Sequence, residues 1–344
     1  MAEKKSRKVG LADIGAALGL SKAAVSLALA DSPKVSRGTK RRVIETAEKM
    51  GYVRNPLLSS VMSGLGSGRP KSFYETIVLI NANKDRDAPA RFPIFSKYIA
   101  GIRAEAKSVG YAVYDVWLHD RLLTPAKLDG ILKSRGIRGG VIVGHIDDNI
   151  LPERFLQIWR SYKFVSAGLK TFNPIIDFIS ADKFLIAHYA TKRIIERGFK
   201  RPMLVVSSHI DDIVEGRFAG GFLRAQLALP EADRIPPFMD TAGADADARL
   251  FKNYLAEKKP DVIFSISNST SAWLDRHAAD IPAGVEVVHL ERKSSKRRWI
   301  GIDKNYEMVG RIAVGKLFQI LNAPPYMGGS GVHTATIVLP EWSQ

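Results

Sequence analysis

The chain has 344 residues, too many for one compact core and about right for two or three modules of roughly 100–200 residues each. Hydrophobic residues make up 46% and charged residues 25%, a globular balance that excludes a collagenous or a disordered chain. With 51 Lys+Arg against 35 Asp+Glu the formal net charge is +16, which points to an anionic partner, a nucleic acid or a membrane surface.

The charge excess is uneven. Residues 1–70 carry 13 Lys+Arg and 5 Asp+Glu, a balance of +8, and the rest of the chain shares the other +8. The absence of cysteine excludes disulfides, thiolate metal sites and a cysteine nucleophile. No run of 18 apolar residues is present to span a membrane. The first thirty residues imitate a secretory signal, with Lys4, Lys5, Arg7 and Lys8 ahead of an apolar stretch, but Asp13 and Lys22 interrupt it.

In chain order, Leu11, Ile14, Ala17 and Leu18 recur at three- and four-residue spacing and predict a short helix stopped by Gly19. Ser21 is a good N-cap for a second helix over 21–30, with Val25 and Leu29 on its buried stripe. Two short helices joined by a Gly-Leu-Ser turn read as a helix-turn-helix. A third helix is expected from Thr39 through Val43, Ile44, Ala47 and Met50, with Lys40, Arg41 and Arg42 on its outer face. In such a module the second helix enters the major groove while cations and helix N-termini hold phosphates. The bland alternative is a three-helix bundle with a solvated basic face or a protein-docking role.

Residues 55–64 suit a short helix, with Asn55 as cap and Pro56 in the first turn, and Gly64, Gly66, Gly68 and Pro70 make a linker. Beyond Pro70 short apolar runs alternate with amphipathic segments. Strands are expected at 76–81, 111–118 and 140–144, with helices at 94–109 and 125–134. A second set begins near Ile176, with helices at 183–197, 216–228 and 270–279 and strands at 202–207, 261–265 and 285–290. This βαβ repetition implies parallel doubly wound sheets, and two such lobes leave a cleft between them. Phe92, Phe95 and Trp273 can stack on a ligand ring there, or pack in a core. The basic run 293–298 reads as a solvated loop. The seven histidines show no short metal spacing, and no nucleophile elbow, phosphate loop or dinucleotide fingerprint occurs, so no enzyme, metal site or cofactor is expected.

The run Val9-x-Leu11-x-Asp13-Ile14-Gly15-x-x-Leu18-Gly19-Leu20-Ser21-x-x-Ala24-Val25-Ser26 resembles the headpiece of the lac/galactose repressor (LacI/GalR) family. Val35-Ser36-x-x-Thr39-x-x-x-Val43 and Gly51-Tyr52-x-x-Asn55-Pro56 continue the match. The resemblance implies Ser21, Lys22, Ala23, Ser26 and Leu27 on the reading helix, and Leu11, Lys34, Ser36 and Thr39 near phosphates. Two departures stand out: the family usually has Thr at Ala24 and Arg at Leu27. Lys22 can read guanine, whereas Ala23 and Leu27 offer only apolar contacts. The resemblance also makes 55–70 a hinge, with Asn55 and Leu58 at the DNA and Val61, followed by the longer Met62, at the position of the wedge in a central base step.

The remainder resembles the family's periplasmic-binding-protein-like effector domain, with weaker motifs. Asp182 with Ala190, Ile194 and Gly198, Arg217-x-x-Gly220, and Ile302-x-x-Asn305-x-x-x-x-Gly310 keep the spacing. The family's ligand Asn-Asp pair falls at Ser267-Asn268, and its Gly-Phe-Asp-Asp falls at 289–292. Arg217, Asn268, Glu291 and Asp182 remain as polar effector candidates.

The expected fold is an N-terminal all-α helix-turn-helix headpiece plus an α/β periplasmic-binding-protein-like domain of two doubly wound lobes. The expected boundaries are 1–54 for the headpiece, 55–70 for the hinge and 71–344 for the effector domain. Within the latter, lobe 1 takes 71–177 and 303–325, and lobe 2 takes 178–302 and 326–344. The implied function is a cytoplasmic, homodimeric, sequence-specific regulator, expected to repress, that binds double-stranded operator DNA and a small effector, a sugar among the candidates. The competing readings are an exported solute-binding protein and a regulator controlled by a protein partner.

Overall fold

The computed structural model of the chain describes residues 10–29, 32, 35–50, 75–144, 149–289, 298–299, 302–322 and 333–342. The chain forms two compact units, Met1–Lys71 and Ser72–Gln344.

In the first unit α1 (Leu11–Leu18), α2 (Lys22–Leu29) and α3 (Arg37–Lys49) close on a core of Ile14, Val25, Ala28, Val43 and Ala47. Each helix is too short to persist alone, so this shared core is what holds them. Caps fix their ends. Asp13 Oδ2 accepts from the Gly10 N–H at 2.7 Å, and Ser21 Oγ accepts from the Ala24 N–H at 3.1 Å. The third helix begins at Arg37, two residues ahead of the expected start, because Ser36 Oγ accepts from the Thr39 N–H and draws 37–38 into the first turn.

The second unit contains twelve strands among the described residues: β1 (Glu75–Asn81), β2 (Tyr111–Trp117), β3 (Gly139–Val143), β4 (Lys163–Ala167), β5 (Asp177–Ala181), β6 (Pro202–Val205), β7 (Val262–Ser265), β8 (Glu286–His289), β9 (Arg298–Trp299), β10 (Ile302–Asp303), β11 (Ala335–Val338) and β12 (Glu341–Trp342). A six-stranded sheet has the order β11-β5-β4-β3-β1-β2 and a four-stranded sheet the order β6-β7-β8-β9. All pairings within both are parallel. Parallel sheets are covered on both faces, which is why β1, β3, β6 and β7 read as continuous apolar runs.

Around the first sheet lie α4 (Pro93–Ser108), α5 (Pro125–Ser134) and α6 (Leu156–Ser161), and around the second lie α7 (Lys183–Glu196), α8 (Ser208–Ile213), α9 (Arg217–Gln226), α10 (Arg249–Lys258) and α11 (Asn268–Arg276); α12 (Tyr306–Asn322) returns to the first lobe and packs on α4. Three cores result. One is continuous from Ile77 and Tyr98 to Phe222 and Phe264 and joins the lobes. The other two lie under α5 and α6 and under α10 and α11.

The expected lobe boundary needs correcting. Residues 178–181 and 335–338 were expected in lobe 2, but β11 pairs in register with β5, and β5 with β4, so both strands extend the first sheet. Their apolar residues have a neighbouring strand to hydrogen-bond there, and the change of lobe comes later, at Asp182. The chain returns from β9 of the second sheet to α12 on the first, and on the way β10 pairs antiparallel with β12.

Candidate functional site

The axes of α1 and α2 are bent by 104° at their short break, within the range of a DNA-binding helix-turn-helix. Gly15 makes that bend possible: a Cβ there would lie 2.5 Å from the Leu20 carbonyl oxygen. Along α2, Lys22, Ala23, Ser26 and Leu27 are all exposed, while Val25 and Ala28 are buried. Positions i, i+1, i+4 and i+5 share one helix face, so the four expected reading residues form one free surface, with Ser21 at its N-terminal end. Ala24 is half-buried beside it.

Leu11, expected near phosphate, is half-buried against the headpiece core. Ser36 and Thr39 are bonded to each other, Oγ to Oγ1, at 2.9 Å, so both hydroxyls serve the start of α3. Arg41 and Arg42 are exposed, and Arg41 pairs only loosely with Glu45 at 3.6 Å. Lys34, Asn55, Leu58, Val61, Met62 and the expected hinge helix lie outside the described residues, as do Glu291 and basic residues 293–297.

In the second unit a pocket opens where the chain leaves the first lobe, among Gly168, Lys170, Asp182, Lys183, Ile213, Glu215 and Arg217. It brings together Asp182 and Arg217, two of the expected effector residues. Asp182 caps α7, its Oδ1 accepting from the Leu185 N–H at 2.9 Å. Arg217 opens α9 and is exposed, with no side-chain hydrogen bond or ion pair among the described residues. The strand order also creates a crevice at the carboxyl ends of β1 and β3, the switch point of a doubly wound sheet. Asn81, Asn83 and Gly144 stand at those ends, and residues 145–148 lie outside the described residues.

Four expected effector residues among the described residues do not line the pocket. Phe95 is 3% exposed in the core shared by the lobes. Trp273, also 3% exposed, stacks on Phe238 and meets Phe251 edge-on at 4.9 Å under α10. Both rings are packed in cores, as aromatics at helical spacing usually are. Asn268 is the first residue of α11, behind the Ser267 cap. Phe92 is exposed but stands at the start of α4, edge-on to Phe95.

Lys170, Lys183 and Glu215 were missed. Lys183 is 6% exposed with its Nζ 5.4 Å from the Tyr306 ring centroid, and Lys304, 4% exposed, places its Nζ 5.9 Å from the same ring and donates to the Ile266 carbonyl. Lysine is almost never this buried, so sequence offered no signal beyond adjacency to Asp182 and Asn305. Nearby, burial pushes the Asp211 carboxyl above its ordinary range, opposed by the N–H groups of Phe218 and Ala219 that it accepts.

A helix-turn-helix unit and a two-lobed doubly wound α/β domain on one chain is the architecture of ligand-responsive DNA-binding regulators. No family model matches the chain. It is 21% identical over 324 residues to the HTH-type transcriptional regulator MalR of Streptococcus pneumoniae, covering 91% of this chain and 93% of that protein. It is 24% identical over 196 residues to the maltose regulon regulatory protein MalI of Escherichia coli, covering 57% and 53%. Among solved structures, a complex of the transcriptional regulator CelR with cellobiose aligns with a TM-score of 0.57 at 16% identity, over 98% of this chain and 99% of that one. The lac repressor dimer bound to operator and the anti-inducer ONPF aligns with a TM-score of 0.52 at 14% identity, over 98% of each chain. The chain is thus similar over nearly its full length to regulators of the LacI/GalR family and has their fold.

Proposed function

We propose that the chain is a homodimeric DNA-binding transcriptional regulator, a repressor acting in the cytoplasm, whose operator affinity is set by a small ligand in the second unit. The observation that carries this reading is the α2 surface: Lys22, Ala23, Ser26 and Leu27 exposed together on a helix held at 104° to its predecessor. One such helix contacts only a few base pairs, so a palindromic operator read by two copies is the natural target.

The ligand class is a sugar or sugar derivative, supported by the full-length relation to a regulator solved with cellobiose and by the partial one to a maltose-regulon protein. Asp182 and Arg217 supply an acceptor and a donor for its hydroxyl groups. Binding shifts the population between two lobe arrangements and so biases DNA affinity, with no bond made or broken.

Selection of a bound sequence from random duplex DNA tests the first part. The expected product is a two-fold symmetric site with half-sites about one helical turn apart; failure to enrich any sequence overturns it. Calorimetry of the full chain with mono- and disaccharides tests the second. Heat from at least one, with a matching shift in operator affinity, is expected, and a ligand that binds without moving operator affinity overturns the regulatory role.

A further inference from the structure

Two loops from opposite lobes meet beside the pocket. Asn149 Nδ2, from the first lobe, donates to the Ile213 carbonyl of the second at 2.7 Å. Lys170 Nζ donates to Glu215 Oε1, also at 2.7 Å, and this ion pair is only one-third to two-fifths exposed.

Both loops are shaped in advance for this contact. The backbone is left-handed at Asn149 (φ 56°) and at Glu215 (φ 58°), a conformation that Asn accepts readily but that Glu adopts only where its surroundings hold it. On the second-lobe side, buried Asp211 supplies the enforcement: its carboxylate accepts from the Phe218 and Ala219 N–H groups, and its carbonyl from the Gly216 N–H. On the first-lobe side, the Phe172 N–H bonds to the Asn149 carbonyl and the Leu151 N–H to the Asn173 carbonyl. Residues 149–151 and 170–173 therefore move as one piece.

The contact is also balanced. Asn149 is 1% exposed, and while its amide nitrogen is satisfied, its Oδ1 has no hydrogen-bond partner among the described residues. A buried acceptor without a partner costs free energy, which offsets part of what the two bonds contribute. A contact so balanced can be tipped by a ligand with a modest preference for one arrangement.

We infer that the Asn149–Ile213 and Lys170–Glu215 contacts form a latch that closes the two lobes over the pocket of Asp182 and Arg217, and that ligand control acts by making or breaking it. Lys170 and Glu215 are at once the latch and two walls of the pocket, so a ligand cannot enter without bearing on it. The regulatory half of this inference rests on the function proposed above; the latch itself does not.

Hydrogen–deuterium exchange on the full chain tests it, read at the peptides spanning 168–173 and 211–219. Lys170→Glu and Glu215→Lys alone should each raise exchange in both peptides about fivefold, the upper end for a partly exposed ion pair, and the double exchange of charges should restore it. Asn149→Gly, which keeps the left-handed backbone and removes the amide, should do the same as the single charge variants. Unchanged exchange in these variants, or a double variant that stays as open as the singles, overturns the latch. A wild-type chain whose two peptides are protected but whose operator affinity ignores every ligand overturns the regulatory half and leaves the latch standing.

Discussion

Gly101 of α4 and Gly310 of α12 let these two helices approach backbone to backbone. A Cβ on Gly101 would lie 2.0 Å from the Glu307 carbonyl oxygen, and one on Gly310 would lie 2.1 Å from the Tyr98 carbonyl oxygen. The obstacles are backbone atoms, so neither can swing aside. Gly310→Ala should destabilise the second unit by roughly 1–3 kcal/mol through overpacking, read as a lower urea midpoint. An unchanged midpoint would mean the helices can separate freely, which the buried Tyr98, Ile102, Val309 and Ala313 between them argue against.

This contact also marks where sequence reading stops. Gly310 belongs to a motif with its own spacing, yet nothing along the chain says that Gly101 is its counterpart, because the pairing spans two elements far apart in sequence. Likewise the βαβ alternation identified the doubly wound class but not the strand order, so β5 and β11 were assigned to the wrong lobe. Helix α6 and strand β4 went unread because each is short and they abut, leaving no turn signal between them. In the headpiece, by contrast, caps and apolar spacing are local, and Ser21 and Val25 stand where the pattern put them, while Leu29 is half-buried and Ala28 takes the second buried position of that helix. The pocket is a mixed case: Asp182 and Arg217, which line it, are residues the family resemblance named, whereas the buried Lys183 runs against the ordinary rule for charged residues.

On the α2 surface, Lys22→Ala should change base preference at one position in each half-site, by about 1–3 kcal/mol between the right and wrong base. Arg41→Ala should weaken all duplexes equally and lower the salt slope by about one. Fluorescence anisotropy across a panel of single-base operator variants at several salt concentrations separates the two. If both substitutions reduce every sequence alike, Lys22 is not a reader.

Asp182 and Arg217 should differ in what their loss does. Asp182→Ala removes the α7 cap and should lower stability by about 0.5–2 kcal/mol, with or without ligand. Arg217→Ala removes a side chain that makes no bond among the described residues, so stability should move by no more than about 0.5 kcal/mol. Ligand affinity should nevertheless fall roughly tenfold or more, as for a lost charged hydrogen bond. Paired melting and titration curves check this; a large drop in melting temperature for Arg217→Ala would move that residue from the pocket to the fold.

Acid sensitivity should concentrate around His277. Its Nδ1 lies 2.9 Å from Asp280 and its Nε2 3.2 Å from Asp245, and these hydrogen bonds are the main reason both carboxyls sit below their ordinary range. A carboxyl whose folded value is depressed contributes stability that is complete above its unfolded value, about 3.9, and lost as pH falls through the folded value. Wild type should therefore lose more stability between pH 5 and pH 3 than His277→Gln, in urea titrations at each pH. Parallel losses in the two proteins would remove His277 from the acid response.

The crossing segments between the sheets have a mechanical consequence. One lobe is joined to the other at Asp182 and again on the way from β9 to α12, and the second crossing is laced to the C-terminal segment through Ile302 with Trp342 and Asp303 with Glu341. The crossings do not hold the lobes alone, because one apolar core is continuous through both, so any separation of the lobes has to strain the crossings and open part of that close-packed core.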